Sequence, residues 1–254
     1  MFVIQKVEKG ELYFYWGWNR SWYNNSDIHF KGKDYNFTLS DVKAKDRQTP
    51  FSIDKYLNPG NATIPQYNFR IGYYFKDNYS LSIGIDHMKY VVVQNQQVLI
   101  DGTISNTSSS YDGSYTNESI ILAEDFLKFE HTDGLNYLNV DIRKDFNLIN
   151  KNKSIAIDGL AGVGLGILIP RTNTTLLNNE RYDEFHLSGY GLNGLTGLKT
   201  TFFNWFFIQS ELKGGYINMP NIRTTRFTAD SASQNFLFAQ ANIVFGVQFS
   251  LSNK

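Results

Sequence analysis

From Leu237 to Leu251 every second residue is apolar (Leu237, Ala239, Ala241, Ile243, Phe245, Val247, Phe249, Leu251), while Gln240, Asn242, Gly246, Gln248 and Ser250 lie between them. Alternation of period two sends successive side chains to opposite sides of a sheet, so the segment reads as a strand with one apolar and one polar surface. Length is the stronger constraint. A strand crossing a bilayer at a tilt needs ~9–11 residues, whereas strands of ordinary domains average ~5–6. This one is long enough to span a membrane.

The same template fits at about eight places along the chain. Leu12, Phe14, Trp16 and Trp18 alternate with Glu11, Tyr13, Tyr15 and Asn19. Phe69, Ile71, Tyr73 and Phe75 alternate with Asn68, Arg70, Tyr74 and Lys76, and after the turn pair Asp77-Asn78 come Leu81, Ile83 and Ile85 against Ser82, Gly84 and Asp86. Leu138, Val140, Ile142 and Phe146 face away from Asn139, Asp141, Arg143 and Asp145; Ile155, Ile157, Val163, Leu165 and Ile167 face away from Ser154, Asp158 and the glycines 162, 164 and 166. A glycine-rich strand is expected between Phe185 and Phe202, followed by Phe206, Ile208, Leu212 and Tyr216 against Gln209, Glu211, Lys213 and Gly215.

Short links (Asp77-Asn78, Asn147 to Asn152, Phe203-Asn204) alternate with long polar ones (Ser21 to Pro65, Gln94 to Asp133, Pro170 to Arg181, Asn218 to Asn235). All long links therefore emerge at one end, which is the layout of a membrane barrel with short turns on one side and long loops on the other. Aromatic residues crowd the strand ends. Phe75, Tyr79, Phe146, Phe202, Trp205 and Phe249 lie beside short turns or the C-terminus and predict one interfacial girdle, with Trp18, Trp22, Tyr67, Tyr216 and Phe236 marking the other.

Composition excludes several classes. Lysine plus arginine (24) equal aspartate plus glutamate (24), so there is no global field for nucleic acid. With no cysteine, disulfides and thiolate metal sites are impossible. No apolar run reaches the ~18 residues of a transmembrane helix, but barrel strands use only alternate positions for lipid and escape that criterion. The first residues lack the basic, apolar and small-residue regions of a secretory signal, although a barrel of this kind must be exported. One domain is expected over residues 1–254, with 1–10 as a lead-in.

If the apolar rows face lipid, the opposite rows gather Glu11, Arg70, Lys76, Asp86, Asp141, Arg143, Asp145, Asp158, Lys199, Glu211 and Lys213 inside. Unpaired charges in so narrow a space are very costly, so the mixture of signs predicts ion pairs across a plugged lumen. The rival is a soluble lipocalin-like barrel, which would turn Trp16, Trp18, Phe69, Ile83, Ile142 and Phe245 inward around a ligand.

These features resemble the outer-membrane β-barrels of Gram-negative bacteria, particularly the small OmpA/OmpX-like class. The last strand, Ala241 to Phe249, is similar to the C-terminal signal read by the barrel-assembly machinery. The resemblance implies an all-β, closed, antiparallel up-and-down transmembrane barrel of eight strands in the cell outer membrane. It would be monomeric, in contact with outer-membrane lipid and lipopolysaccharide, without cofactor or metal. Some relatives of that kind trim lipid A acyl chains with a histidine and a serine two apart on a strand. His186-Leu187-Ser188 has this spacing, but pairing about Phe203-Asn204 leaves Glu211 ~30 Å from His186 at ~3.3 Å per residue, so no triad is drawn and a non-enzymatic structural or surface-binding role leads. His131 precedes the Leu138 strand as a second, weaker candidate; His87 is expected at the outer rim and His29 in the first loop. The first long link also holds a hairpin pattern (Ile28, Phe30, then Tyr35, Phe37, Leu39), and Ile120 to Phe129 reads as a strand extension or a short helix.

Overall fold

The computed structural model describes residues 7–61, 64–151, 155–177 and 179–250; Ser154, Asn152, Leu251 and most of the 1–10 lead-in lie outside them. The strands are β1 (Glu11–Tyr23), β2 (Ser26–Lys31), β3 (Tyr35–Val42), β4 (Ala44–Lys45), β5 (Tyr67–Lys76), β6 (Tyr79–Val92) and β7 (Gln97–Ile104). They continue with β8 (Gly113–Ile121), β9 (Leu127–Lys151), β10 (Ile155–Leu168), β11 (Asn173–Leu176), β12 (Gly189–Phe202), β13 (Phe206–Arg223) and β14 (Ser231–Ser250). A five-residue helix, α1 (Ile53–Leu57), is capped by Ser52, whose side chain accepts from the Lys55 amide.

Eight of these strands make the wall, in the order β1-β5-β6-β9-β10-β12-β13-β14, each antiparallel to the next in sequence among them. Pairing of β1 with β14, from Glu11↔Ser250 to Tyr23↔Phe238, closes the cylinder and leaves the wall without an open edge. In the three-residue turn Phe203-Asn204-Trp205 the first two residues take positive φ (55° and 66°), and the Trp205 amide donates to the Phe202 carbonyl at 3.2 Å. At the other short turn Asn78 takes φ 61°, and a bulge between Tyr74 and Lys76 shifts the register. That bulge corrects one expectation: Lys76 is exposed at the turn and lies outside the lumen. Strand β9 also runs on to Lys151, so Asn147 to Lys151 is strand, and β10 begins at Ile155.

The long links carry strands of their own, the hairpin read in the first among them. Residues 26–42 form the hairpin β2–β3 and residues 97–121 the hairpin β7–β8; together with the upper end of β14 they make one sheet in the order β14-β2-β3-β7-β8. Its apolar core includes Ile28, Phe30, Phe37, Leu39, Met88, Tyr90, Phe126, Phe129, Leu135, Ile217, Met219 and Phe236. Phe236, expected in an outer girdle, is 2% exposed inside this cap. Ile120 and Ile121 end β8, and the following turn leads directly into β9 at Leu127.

The wall residues exchange character along their length. On β6 the inward row runs Ser80, Ser82, Gly84, Asp86 and then Met88, Tyr90, Val92, while the outward row runs Leu81, Ile83, Ile85 and then His87, Lys89. On β14 the inward row passes from Asn242 and Gln240 to Phe238 and Phe236, and the outward row from Ile243 and Leu237 to Asn235 and Ser233. Side chains keep their sides while polarity inverts. Below the reversal the outside is apolar and the inside polar; above it the arrangement is that of an ordinary water-soluble core.

Candidate functional site

The lower lumen is filled by one hydrogen-bonded charge network. Asp141 on β9 is its hub: one carboxylate oxygen takes Arg70 of β5 at 3.0 Å and Arg143 at 2.9 Å, and the other accepts from Asn193 of β12 at 3.2 Å. Arg143 also reaches Glu211 of β13 at 2.6 Å, and both guanidinium groups donate to the Tyr15 hydroxyl of β1, at 3.1 Å from Arg70 and 3.0 Å from Arg143. Arg70 further donates to Ser82 at 3.1 Å and to Asn139. Lys213 pairs with Asp86 of β6 at 2.6 Å, and Asn242 of β14 donates to Glu211 at 3.2 Å. Beneath this, Lys199 pairs with Asp145 at 3.0 Å, and Tyr74 donates to the same carboxylate at 2.8 Å.

Arg70 and Asp141 are both fully buried, so neither charge is screened by water, and the pairing is what makes their burial tolerable. Strand β10 makes room for the network. A Cβ on Gly164 would stand 2.0 Å from an Asp141 carboxylate oxygen, so glycine there lets the hub lie against the wall. Of the expected lumen set, Arg70, Asp86, Asp141, Arg143, Asp145, Asp158, Lys199, Glu211 and Lys213 are buried inside; Glu11 is half-buried at the rim and Lys76 is outside.

Among the described residues, side chains fill this interior closely. Tyr13, Tyr15, Tyr74, Phe207 and Val244 pack together beside the network, Tyr15 and Tyr74 reaching into it with their hydroxyls, and the apolar core of the cap lies above it. The space left between Tyr74, Arg143, Lys199 and Phe207 is about 10 Å³, scarcely one water.

Outside, the apolar side chains stand exposed, with Val163 67%, Leu165 64% and Ile83 52% exposed. Phe75, Phe146, Trp205 and Phe249 are exposed at the short-turn end, with Tyr79 and Phe202 partly so. Large apolar residues outside and carboxylates inside are the reverse of a lipocalin-like barrel, which removes the soluble rival. The architecture is that of a closed eight-stranded antiparallel β-barrel with an apolar outer belt, the layout of membrane-spanning barrels. Among the described residues no helix is long and apolar enough to cross a membrane, which says nothing about strands. No protein-family model and no curated protein matches the chain. Among solved structures the chain is similar to the outer membrane protein OprG from Pseudomonas aeruginosa (12% identity, covering 98% of this chain and 100% of that one, TM-score 0.43). It is similar also to Neisserial surface protein A (11% identity, 95% and 100% covered, TM-score 0.41) and to Ail of Yersinia pestis (10% identity, 95% and 99% covered, TM-score 0.34).

The histidine and serine candidates are not brought together as a nucleophile and base. Ser188 is buried and its hydroxyl donates to the main-chain carbonyl of His186 at 3.3 Å, while the His186 Nε2 has no hydrogen-bond partner. His131 is enclosed in the cap, bonded through Nδ1 to Thr172 at 2.9 Å, and burial pushes its pKa down to about 3, so it sits there neutral. His87 faces outward at the rim, stacked on Tyr67 at 4.9 Å and bonded to Asn136 at 2.8 Å, and His29 bonds Thr38 within the β2–β3 hairpin. Among the described residues no group of histidine and acidic side chains is placed to hold a metal.

Two features of the loop end were missed from the sequence. At the apex a cavity of about 560 Å³ is lined by residues of four loops, among them Lys33, Thr107, Arg181, Arg226 and Asp230. A second concavity of about 790 Å³ lies on the outer wall at the height of the polarity reversal. The reversal itself was visible in the sequence, since Met88-Tyr90-Val92 continue the same parity as Ser82-Gly84-Asp86.

Proposed function

We propose that this chain is a closed, non-conducting barrel of the cell outer membrane that holds a rigid sheet at the cell surface, without enzymatic activity of its own. The observation that carries the reading is the belt of exposed apolar side chains around an interior of paired charges. In water that belt would cost ~25 cal/mol for each Å² left wet, whereas hydrocarbon accepts it. The even strand number puts both ends of the wall, Glu11 and Ser250, on the short-turn side, and the loop-built sheet on the other. The surface role is supported by the cap, whose apolar core fixes β2, β3 and β7 as a platform beneath the apex cavity. As a monomer it needs no partner to close its wall. The final strand is the segment offered to the assembly machinery, and outer-membrane lipid, lipopolysaccharide included, is the surrounding partner.

Two measurements on purified, refolded protein test this. Unheated samples are expected to migrate differently from boiled samples in detergent gels, and single-protein insertions into planar bilayers are expected to give no resolvable conductance steps. Steady channels would contradict the plugged lumen, and absence of the gel shift would contradict the barrel in detergent.

A further inference from the structure

On the outside of the wall two connections fold down against the strands and leave the groove of about 790 Å³ between them, within the ~300–1,000 Å³ range of small-molecule clefts. Its floor is the outward row at the reversal, Tyr67, Ile85 and Leu138, continuous with the exposed belt residues Ile83 and Val140 beside them on β6 and β9. Ile64, from the connection before β5, forms one wall; Arg171 and Phe185, from the connection between β10 and β12, form the other.

The rim carries two cations, neither of them closer than 3.5 Å to a described carboxylate. The Lys89 ammonium donates to the Ile64 carbonyl at 3.0 Å and the Thr49 hydroxyl at 3.5 Å, both neutral groups, and no described carboxylate lies within 4.0 Å of it. Burial, the largest cause, and the Arg47 charge pull its pKa below the ordinary lysine value, against the opposing pull of the more distant Asp46 and Asp133 carboxylates. Across the groove the Arg171 guanidinium stands 5.8 Å above the Phe185 ring. Its carboxylate contacts are Asp133 at 3.7 Å and Asp183 at 3.5 Å, longer than the ~2.7–2.9 Å of a full charge-assisted hydrogen bond. Asp133 also lines the groove, held between Arg171 and Arg181, the latter at 4.0 Å. An apolar floor running into the exposed belt, with an ammonium bonded to neutral oxygens and a guanidinium 3.5 Å or more from its carboxylates above it, is the complement of an amphiphile with its anion uppermost.

We propose that this groove binds a phosphate-bearing lipid of the outer leaflet, with the phosphate between Lys89 and Arg171 and one acyl chain over Ile85 and Leu138. It rests on the membrane orientation proposed above. The test is native mass spectrometry of the whole protein in a non-ionic detergent, with three probes: lipid A bearing its phosphates, the same lipid stripped of them, and inorganic phosphate alone. Lys89→Gln and Arg171→Gln each keep a donor but lose the charge, and Lys31→Gln on the exposed β2 is the control. The phosphorylated lipid is expected to bind about tenfold more tightly than the stripped one, and each groove variant to lose about tenfold, the scale of one charge-assisted hydrogen bond. Lys31→Gln should change nothing, and inorganic phosphate should not displace the lipid. Equal retention of both lipids, displacement by inorganic phosphate, or groove variants that match wild type would overturn the site. All proteins are first checked for the heat-dependent gel shift. Its absence in wild type defeats the barrel reading, whereas an intact shift with no phosphate dependence defeats the groove alone.

Discussion

Asp141→Ala is expected to destabilise the folded protein by about 3–5 kcal/mol, the cost of breaking a buried ion pair and leaving its partner charged and dry. The size follows from position. Asp141 receives Arg70 at 3.0 Å and Arg143 at 2.9 Å, and both it and Arg70 are fully buried. Arg143 retains Glu211 at 2.6 Å, but Arg70 loses the carboxylate it is paired with. The double variant Asp141→Leu with Arg70→Met should therefore recover much of what Asp141→Leu alone loses, because replacing a buried pair by apolar groups is often neutral. Urea unfolding in phospholipid vesicles, followed by tryptophan fluorescence, measures both. A loss below about 0.5 kcal/mol for Asp141→Ala, the size typical of a surface change, would mean that the lumen is wetter than described.

Ile83→Arg is expected to cost about 2–4 kcal/mol in the same assay, the penalty for a cation on the lipid face at mid-membrane. Ile83 is exposed and paired in the sheet with Ile71 on one side and Val140 on the other, both exposed as well, so its surroundings outside the wall are the belt itself. Ser233→Arg, on the outward row of β14 above the polarity reversal, should change stability by less than about 0.5 kcal/mol. Both positions lie on the outer surface, so only the medium distinguishes them. If the two substitutions cost the same, the reversal does not mark a membrane boundary.

The wall was legible because alternation is a local signal: the parity of Arg70, Asp86, Asp141, Lys199 and Glu211 alone assigns them to one side. Which side was inner followed from length and loop asymmetry, features that belong to a spanning barrel. Lys76 was misplaced because a bulge between Tyr74 and Lys76 breaks the parity, and nothing in the sequence flags an extra residue there. The cap was hidden for a different reason. Its strands pair across long separations, β3 with β7 and β2 with β14, and such pairings leave no trace in local periodicity, although the β2–β3 hairpin alone was readable. The groove depends on how two connections fold against the wall, which no spacing rule predicts. His186 and Ser188 had the right separation, but the Ser188 hydroxyl is spent on a main-chain carbonyl.

The reversal of polarity unites these observations. Where lipid surrounds the wall, the inner row must be polar to be distinguished from the outer; where water surrounds it, the inner row becomes Met88, Tyr90 and Phe236 and packs as a core. The same height carries the groove rim at Lys89 and Arg171, so the boundary between media is written into both faces of the wall.

The chain has no cysteine, so a single cysteine introduced at Leu81, Ile83, Ile85 or Lys89 carries a nitroxide label without background. Collision rates of these four labels with oxygen and with a water-soluble nickel chelate, in protein reconstituted into vesicles, read the medium outside β6 directly. Oxygen is expected to dominate at Leu81, Ile83 and Ile85, and the nickel chelate at Lys89. Nickel dominating at all four positions would show that water surrounds the apolar belt, and the membrane orientation would fall.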